Sequence, residues 1–367
     1  MAADFVNRRM ELDALHGWWE RRGSMLAIVW GRRRVGKSTL LKEFARPLRC
    51  VFHTGIGRPL QDELATLSTE TAAIVDSDFR DLELQPFTSW SDALSFLAQA
   101  AQHEPLLLVL DEFHELVAVV NELPSIMRAD WDRLSGHTQL RILLCGSAVR
   151  AMESMQEQRE PLYGRFSLSL LVHPFRPHEA ALMLPNLSPA DRALVWGILG
   201  GMPLYLSWWD QAKSVTDNLR TLACSPGAPL LREGELIMAT EAGASNLAHQ
   251  VLYAVASKKT RFGEIRDAVK TDPTRVLERL VSLRLVERLV PVTDTDSAAS
   301  RGIYRIADNF LIFWLDVVNN QRSAIDTGMV DSVLPVIEAS IDDHMGLRWG
   351  GGLSQPHSQA GPGWPVG

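Results

Sequence analysis

Nine residues, Gly31–Thr39 with the sequence GRRRVGKST, restrict the possible folds of this 367-residue chain more than any other segment. They match the phosphate-binding pattern GxxxxGK[ST] at all of its fixed positions, which are Gly31, Gly36, Lys37 and Ser38. An apolar run of strand type precedes the pattern, and a run with helical apolar spacing follows it. A strand, a glycine-rich turn and a helix N-terminus surround a phosphate group with backbone N–H donors. The alternative is a chance match on a turn rich in glycine and arginine, which these flanking segments disfavour.

The loop predicts a site for ATP and Mg²⁺. Lys37 is expected to reach the β- and γ-phosphates, and the Ser38 hydroxyl is expected to bind the metal ion. The three consecutive arginines either help to hold phosphate or line the outer face of the loop. The residues of this segment that are expected to contact the nucleotide are Gly31, Arg32, Arg33, Arg34, Val35, Gly36, Lys37, Ser38 and Thr39.

A second nucleotide signal lies at Pro105–Phe113, where the unbroken apolar run PLLLVLDEF ends in two carboxylates. Such a run is typical of a buried parallel strand, and ligands bind at the carboxyl ends of parallel strands in open α/β sheets. Asp111 is expected to hold Mg²⁺, and Glu112 is expected to act as the general base on the attacking water. The alternative is that Asp111 only caps the helix that follows.

A third apolar run, Gln139–Ser147, predicts a further parallel strand beside the one that carries Asp111. Ser147 would then lie next to the γ-phosphate and bond to it, although it can also cap the next helix. Arg150 and Arg165 are candidates for stabilising charge in the transition state. Either arginine could instead be a surface residue or belong to a structural ion pair.

Seven short motifs occur in one order along the chain: FVNRRMEL, the phosphate loop, LDEF, CGS, PLYGR, HPFRP and LGGMPLYL. Together they resemble the archaeal-type ATPases of the STAND group, a signal-transduction branch of the P-loop NTPases with an AAA-like fold. The resemblance covers about residues 4–325. It implies that Asn7 and Arg8 lie near the adenine or ribose, and that Pro203 begins a helical lid that contacts the nucleotide. From the residues alone, the two glycines before Pro203 predict a helix end followed by a helix start.

The predicted fold class is α/β, a three-layer αβα P-loop NTPase with a parallel sheet, followed by a helical lid and a winged helix-turn-helix. In the family that the motifs resemble, chains often continue beyond this point, so the C-terminal helical segment would be a truncated family region. The predicted boundaries are 1–176 for the ATPase core, 177–224 for the lid, 225–245 for a linker, 246–306 for the winged helix, 307–345 for the C-terminal helical segment and 346–367 for a disordered tail.

Residues 246–306 contain eleven Lys and Arg against seven Asp and Glu, whereas the whole chain has a net charge of −7. Three helical segments and two strand-like runs around a polar loop are typical of a winged helix. The excess positive charge favours contact with DNA phosphates. The acidic loop residues Asp294 and Asp296 oppose it, and winged helices also serve as protein-docking modules. The candidate DNA contacts, all expected on the third helix, are Arg275, Arg279 and Arg284.

Composition excludes several other classes. Hydrophobic residues make up 46% of the chain and charged residues 22%, which is typical of a globular protein. No apolar run reaches the ~18 residues of a membrane span, and the N-terminus lacks the apolar region of a signal peptide. Cys50, Cys145 and Cys224 are isolated, which argues against a disulfide framework or a CxxC zinc site. A cytoplasmic location is therefore expected.

The sequence thus predicts a Mg²⁺-dependent ATPase that acts as a nucleotide-controlled switch coupled to a winged helix. One alternative is a DNA-binding regulator that uses ATP as a structural ligand with little hydrolysis. Another is an inactive fragment of a longer protein. A homo-oligomer, a protein partner and an arginine supplied by a neighbouring subunit all stay open.

Overall fold

The computed structural model describes residues 5–76, 80–243, 245–290 and 302–352. The chain divides into two compact units. The first contains Met1–Phe175 with Met202–Leu204, and the second contains Arg176–Gly201 with Tyr205–Gly367. The main part of the first unit ends at Phe175, and the segment around Pro203 groups with it.

A five-stranded parallel sheet organises the first unit. Its strands are β1 (Met25–Trp30), β2 (Cys50–Thr54), β3 (Leu106–Asp111), β4 (Leu140–Gly146) and β5 (Leu168–Leu171). They are ordered β2-β3-β4-β1-β5, and all adjacent pairs are parallel. Every residue of β3 and β4 is buried, as expected for strands covered on both faces. The α/β class with a central parallel sheet is therefore confirmed.

Helix α1 (Arg9–Trp19) precedes β1. The strands are connected by α2 (Lys37–Ala45), α3 (Leu60–Ala72), α4 (Trp90–Ala100), α5 (Phe113–Val119), α6 (Leu123–Leu134) and α7 (Val149–Ser154). The apolar faces of several of them join the sheet in one continuous core cluster that includes Leu26, Ile28, Leu108 and Trp90. Local capping also fixes helix starts. At α4, for example, the Ser89 hydroxyl accepts the backbone N–H of Asp92.

The second unit begins with short helices: α8 (Pro177–Ala180), α9 (Pro189–Leu199), α10 (Pro203–Trp208, whose first two residues group with the first unit), α11 (Val215–Leu222) and α12 (Pro229–Leu236). A π-helical turn, Ile237–Ala242, continues α12. The expectation of a linker over 225–245 is corrected here. Leu230, Leu231 and Ile237 are buried, and their burial holds most of that segment in a packed helix.

Residues 246–306 contain three helices, α13 (Asn246–Ala256), α14 (Phe262–Val269) and α15 (Thr274–Ser282), and an antiparallel pair, β6 (Val286–Leu289) with β7 (Ile303–Ile306). The helices and strands expected in this region are therefore present. Helix α15 ends at Ser282, so Arg284 follows the helix in the left-handed conformation and does not lie on it as expected. Asp294 and Asp296 lie outside the described residues.

The C-terminal segment is helical: α16 (Asn309–Phe313), a π-helical turn (Trp314–Val318), a 3₁₀ turn (Asn319–Gln321), α17 (Arg322–Asp326) and α18 (Val330–Gly352). Helix α18 runs to Gly352, beyond the point at 346 where a disordered tail was expected. Residues 353–367 are outside the described ranges. Within those ranges, no helix combines the length and the apolar character needed to cross a membrane.

Candidate functional site

The carboxyl ends of three neighbouring strands bring the predicted site residues together. Strand β4 lies between β1 and β3, with Gly146 opposite Trp30 and Leu144 opposite Leu110. The phosphate loop, Asp111 and Ser147 therefore all begin at the same edge of the sheet. The expected adjacency of β4 to β3 is confirmed. Strand β4 also pairs with β1, which the sequence did not predict.

Two glycines shape the phosphate loop. A Cβ on Gly31 would lie 2.4 Å from the backbone oxygen of Val172, so a side chain has no room there. Gly36 has φ 90°, a left-handed conformation that favours glycine, and it forms the N-cap of α2. Gly36 has no side chain that could cap this helix, so the donors of its first turn are directed at the loop.

Lys37 lies in the curve of the loop. It is only 5% exposed, and its Nζ donates to the backbone oxygens of Gly31 (2.9 Å) and Arg32 (3.1 Å). The ammonium group and the positive end of α2 thus occupy the same small volume. Such an arrangement attracts a phosphate anion.

Ser38 and Asp111 meet across the gap between the loop and β3. The Ser38 hydroxyl donates to Asp111 Oδ2 at 2.7 Å, and Asp111 is 3% exposed. Asp111 Oδ1 accepts the N–H of Glu112, which is the N-cap of α5 and makes no capping hydrogen bond with its own side chain. Asp111 thus bonds both to Ser38 and to the N–H at the start of α5, which is more than the capping alternative alone requires. Burial, together with the nearby Asp111 carboxylate, raises the pKa of the Cys145 thiol well above its usual range.

Glu112 and Ser147 are directly bonded. The Glu112 carboxylate accepts the Ser147 N–H at 3.0 Å, and Glu112 has φ 51°, which is unusual for a residue with a side chain. The Ser147 hydroxyl is buried and has no hydrogen-bond partner among the described residues. His114, which the sequence reasoning missed, lies beside this pair, with its Nδ1 3.4 Å from Glu112 Oε2.

Arg8 bonds to the phosphate loop. Its guanidinium donates to the backbone oxygens of Val35 and His173, both at 2.7 Å, and it lies over the Phe175 ring at 4.2 Å. Asn7 precedes it in the same left-handed conformation. Arg8 therefore contacts the phosphate loop directly. The sequence had led us to expect only that Asn7 and Arg8 lie near the adenine or ribose.

Pro203 also lies at the loop. A Cβ on Gly36 would be 3.7 Å from Pro203 Cγ, an ordinary van der Waals distance. The remaining loop residues differ in burial: Arg32 is buried, whereas Arg33 and Thr39 are exposed. Val35 is buried as well, and Arg34 is half-buried, so Arg33 and Thr39 are the loop residues that face away from the protein interior.

Arg165 does not reach this site. It forms a two-point ion pair with Asp132, whose pKa the hydrogen bond from Arg165 lowers. Ser167, two residues later, bonds to the backbone oxygen of Leu26 near the start of β1. Arg165 therefore lies at the amino-terminal edge of the sheet, opposite the phosphate loop. This corrects the expectation that it contacts the same nucleotide as Lys37. Arg150 is exposed on α7.

Solved structures of two archaeal proteins share the fold. The Walker-type ATPase PABY2304 of Pyrococcus abyssi superimposes with a TM-score of 0.64 at 20% identity, over 85% of this chain and 96% of the other. The ORC2 protein of Aeropyrum pernix, in its ADPNP–ADP complexes, gives a TM-score of 0.58 at 16% identity, over 92% and 98%. At these identities the similarity shows the fold alone.

Sequence comparison identifies the family. An uncharacterised protein of Methanocaldococcus jannaschii is 22% identical over 356 residues, which span 94% of this chain and 75% of the relative. The sequence model of a family described as an ATPase domain predominantly from Archaea matches residues 5–208. That match covers more than half of the chain and includes the phosphate loop, Asp111 and Ser147. The chain therefore belongs to the family of ATPase domains found predominantly in Archaea.

Proposed function

We propose that this chain is a Mg²⁺-dependent ATPase of the STAND type that acts as a nucleotide-controlled switch coupled to a winged helix. The observation that carries the proposal is the 2.7 Å bond between Ser38 and Asp111 beside the buried Lys37. The bond joins a hydroxyl to a carboxylate at the end of a glycine-rich loop whose backbone oxygens accept from the Lys37 ammonium group. Since such an enzyme uses ATP, we place it in the cytoplasm.

The Ser38 and Asp111 oxygens fit a Mg²⁺ site. In an octahedron with bonds of about 2.0–2.1 Å, neighbouring ligand atoms are about 2.9 Å apart. The observed 2.7 Å between Ser38 Oγ and Asp111 Oδ2 is close to that value. Protein Mg²⁺ sites commonly need only one or two carboxylates, because water and substrate phosphates supply the other ligands. When bound, the ion would neutralise charge on the β- and γ-phosphate oxygens.

The other site residues have distinct roles in this proposal. Lys37 and the N-terminus of α2 hold the phosphates, and Glu112 takes the proton of the attacking water. The Ser147 hydroxyl bonds to the γ-phosphate. Its lack of a partner in the described structure supports this role, because a buried hydroxyl normally has one.

A short segment supports the switch. Within the first unit, Pro203 lies at Gly36 of the phosphate loop. Within the second unit, Asn309 donates to the backbone oxygen of Trp196 at 3.1 Å, and a Cβ on Gly200 would lie 3.3 Å from Asp308 Oδ1. Only two residues, Gly201 and Met202, separate Gly200 from Pro203. A change at the phosphate loop would therefore be passed along this segment to the residues that follow β7.

We propose DNA as the partner of residues 246–306. Their described part contains ten Lys and Arg against five Asp and Glu. Arg275 and Arg279 are exposed one helical turn apart on α15, where both can contact phosphates. Arg284 would contact the backbone from the turn after the helix. Glu278, exposed on the same helix, reduces the positive field.

ATP turnover and nucleotide affinity, measured with and without duplex DNA, test the proposal. Lys37→Ala should lose ATP binding, with Lys42→Ala on the exposed face of the same helix as the matched control. Glu112→Gln should bind ATP but turn it over about 10²–10⁴-fold more slowly. Normal turnover by Lys37→Ala would refute the ATP site, and normal turnover by Glu112→Gln would exclude Glu112 as the base.

The same experiment separates the alternative function. A regulator that uses ATP as a structural ligand would bind ATP and DNA, yet show negligible hydrolysis with or without DNA. DNA affinity that falls steeply with salt would confirm the phosphate contacts, and Arg275→Ala should reduce that salt dependence by about one unit of slope. Affinity that does not change with salt would contradict DNA binding by this face.

A further inference from the structure

We propose that His114 is a positioning residue that holds the Glu112 carboxylate in place for proton transfer. The inference rests on the proposed function, in which Glu112 is the general base. His114 belongs to no sequence motif used above and lies in the first turn of α5.

One oxygen of the Glu112 carboxylate has a hydrogen bond on one side and a packing contact with the His114 ring on the other, and His114 Nδ1 has no hydrogen-bond partner among the described residues. Glu112 Oε2 accepts the Ser147 N–H at 3.0 Å and lies 3.4 Å from His114 Nδ1. The first contact comes from the end of β4 and the second from α5. Because the Glu112 backbone is left-handed, the side chain starts from a direction that helical residues do not have. The hydrogen bond from Ser147 and the packing of the His114 ring together limit where the carboxylate lies.

The imidazole is itself fixed in position. Its Nε2 lies 3.3 Å from Glu115 Oε1, and the side chain is only 15% exposed. A Cβ on Gly146 would lie 3.2 Å from His114 Nδ1 and 2.5 Å from Met152 Sδ. The ring thus occupies the space that a larger residue at the end of β4 would fill. A ring packed in this way limits the rotation of its neighbour.

A fixed carboxylate matters because proton transfer needs a narrow geometry. A misplacement of about 1 Å can cost on the order of 10²-fold in rate. Without His114, Glu112 would keep its bond to Ser147 but gain freedom on the other side. The ATP contacts of Lys37 and Ser38 would not change. Loss of His114 should therefore lower kcat and leave the KM for ATP nearly constant.

Steady-state ATP turnover by His114→Ala and His114→Asn tests the inference. His114→Ala should lower kcat about ten- to a hundredfold, with the KM for ATP within about twofold of wild type. The amide nitrogen of asparagine can take the place of Nδ1, so His114→Asn should recover most of kcat. His103→Ala is the matched control, because His103 is exposed just before β3, at the opposite edge of the sheet.

Three results would overturn the inference: wild-type kcat in His114→Ala, a rise in KM as large as the fall in kcat, or no recovery in His114→Asn. Glu112→Gln distinguishes this failure from failure of the proposed function. If Glu112→Gln is inactive while His114→Ala is normal, only the role of His114 is refuted. If the wild type does not hydrolyse ATP, or Glu112→Gln hydrolyses it normally, the proposed function and this inference fail together.

Discussion

Replacement of Arg8 by alanine should destabilise the first unit and weaken nucleotide binding at the same time. Arg8 is 4% exposed and donates to the backbone oxygens of Val35 and His173 as well as to Glu11. Val35 belongs to the phosphate loop. Arg8→Ala would therefore remove the hydrogen bond that joins the phosphate loop to the N-terminal segment.

The expected magnitude follows from these contacts. A hydrogen bond to a charged group contributes about 1.5–3 kcal/mol, and Arg8 makes two such bonds to backbone oxygens. Stacking on Phe175 adds about 1 kcal/mol. Part of this loss of stability is offset, because water can enter the vacated space and a buried charge is removed. We therefore expect Arg8→Ala to lower the free energy of unfolding by about 3–4 kcal/mol, or Tm by about 10 °C.

Thermal unfolding and the affinity for a fluorescent ATP analogue measure both effects. Arg9→Ala is the matched control, because Arg9 is exposed on the next position of the chain. Arg8→Lys keeps the charge but lacks the planar fork of donors, so it should fall between the wild type and Arg8→Ala. If Arg8→Ala were as stable as Arg9→Ala and bound nucleotide equally well, the reasoning from these contacts would be refuted.

Three further predictions concern Gly31, Asp92 and Cys50 of the first unit. Gly31→Ala should lower the free energy of unfolding by about 1–3 kcal/mol and weaken ATP binding, because the alanine Cβ would clash with the backbone of Val172. Unchanged ATP binding in titration calorimetry would contradict this. Asp92→Asn should lower the free energy of unfolding by about 1–3 kcal/mol near pH 7, since the hydrogen bond from Arg80 stabilises the Asp92 carboxylate and lowers its pKa. That contribution to stability is present above the ordinary aspartate pKa and is lost as the pH falls through the pKa of Asp92 in the folded protein. Denaturant unfolding should therefore give the wild type and Asp92→Asn similar free energies of unfolding in acid. Burial raises the pKa of Cys50 to about 12, so at about pH 8 only ~10⁻⁴ of the native thiol is ionised and iodoacetamide should label it only after unfolding.

Local signals account for the parts of the site that the sequence predicted well. The glycine pattern around Lys37 specifies a turn within a few residues, and the apolar run before Asp111 specifies a buried strand. Both features depend on neighbours in the chain, and the structure has a turn and a strand at those positions. The serine after the third apolar run was also recognisable, because it follows the same kind of strand.

The remaining parts of the site depended on contacts between distant segments. Arg165 looked like a site residue because it belongs to a motif, yet the pairing of β5 with β1 places it at the wrong edge of the sheet. His114 carried no signal, since a histidine in a short helix is unremarkable until its distance to Glu112 is known. The segment over 225–245 has the composition of a linker, but burial of its leucines made it helical.

Sequence alone therefore settled that the chain has a phosphate loop, that two carboxylates follow a buried strand, and that an α/β fold surrounds them. These features arise from short-range periodicity and backbone preferences, which neighbouring residues encode. Tertiary structure decided the order of the strands, with β4 between β1 and β3, and through it which side chains share an edge. It also decided that Arg8 binds Val35 and that His114 faces Glu112. Such pairings depend on how the whole core packs, and no local pattern of residues specifies that.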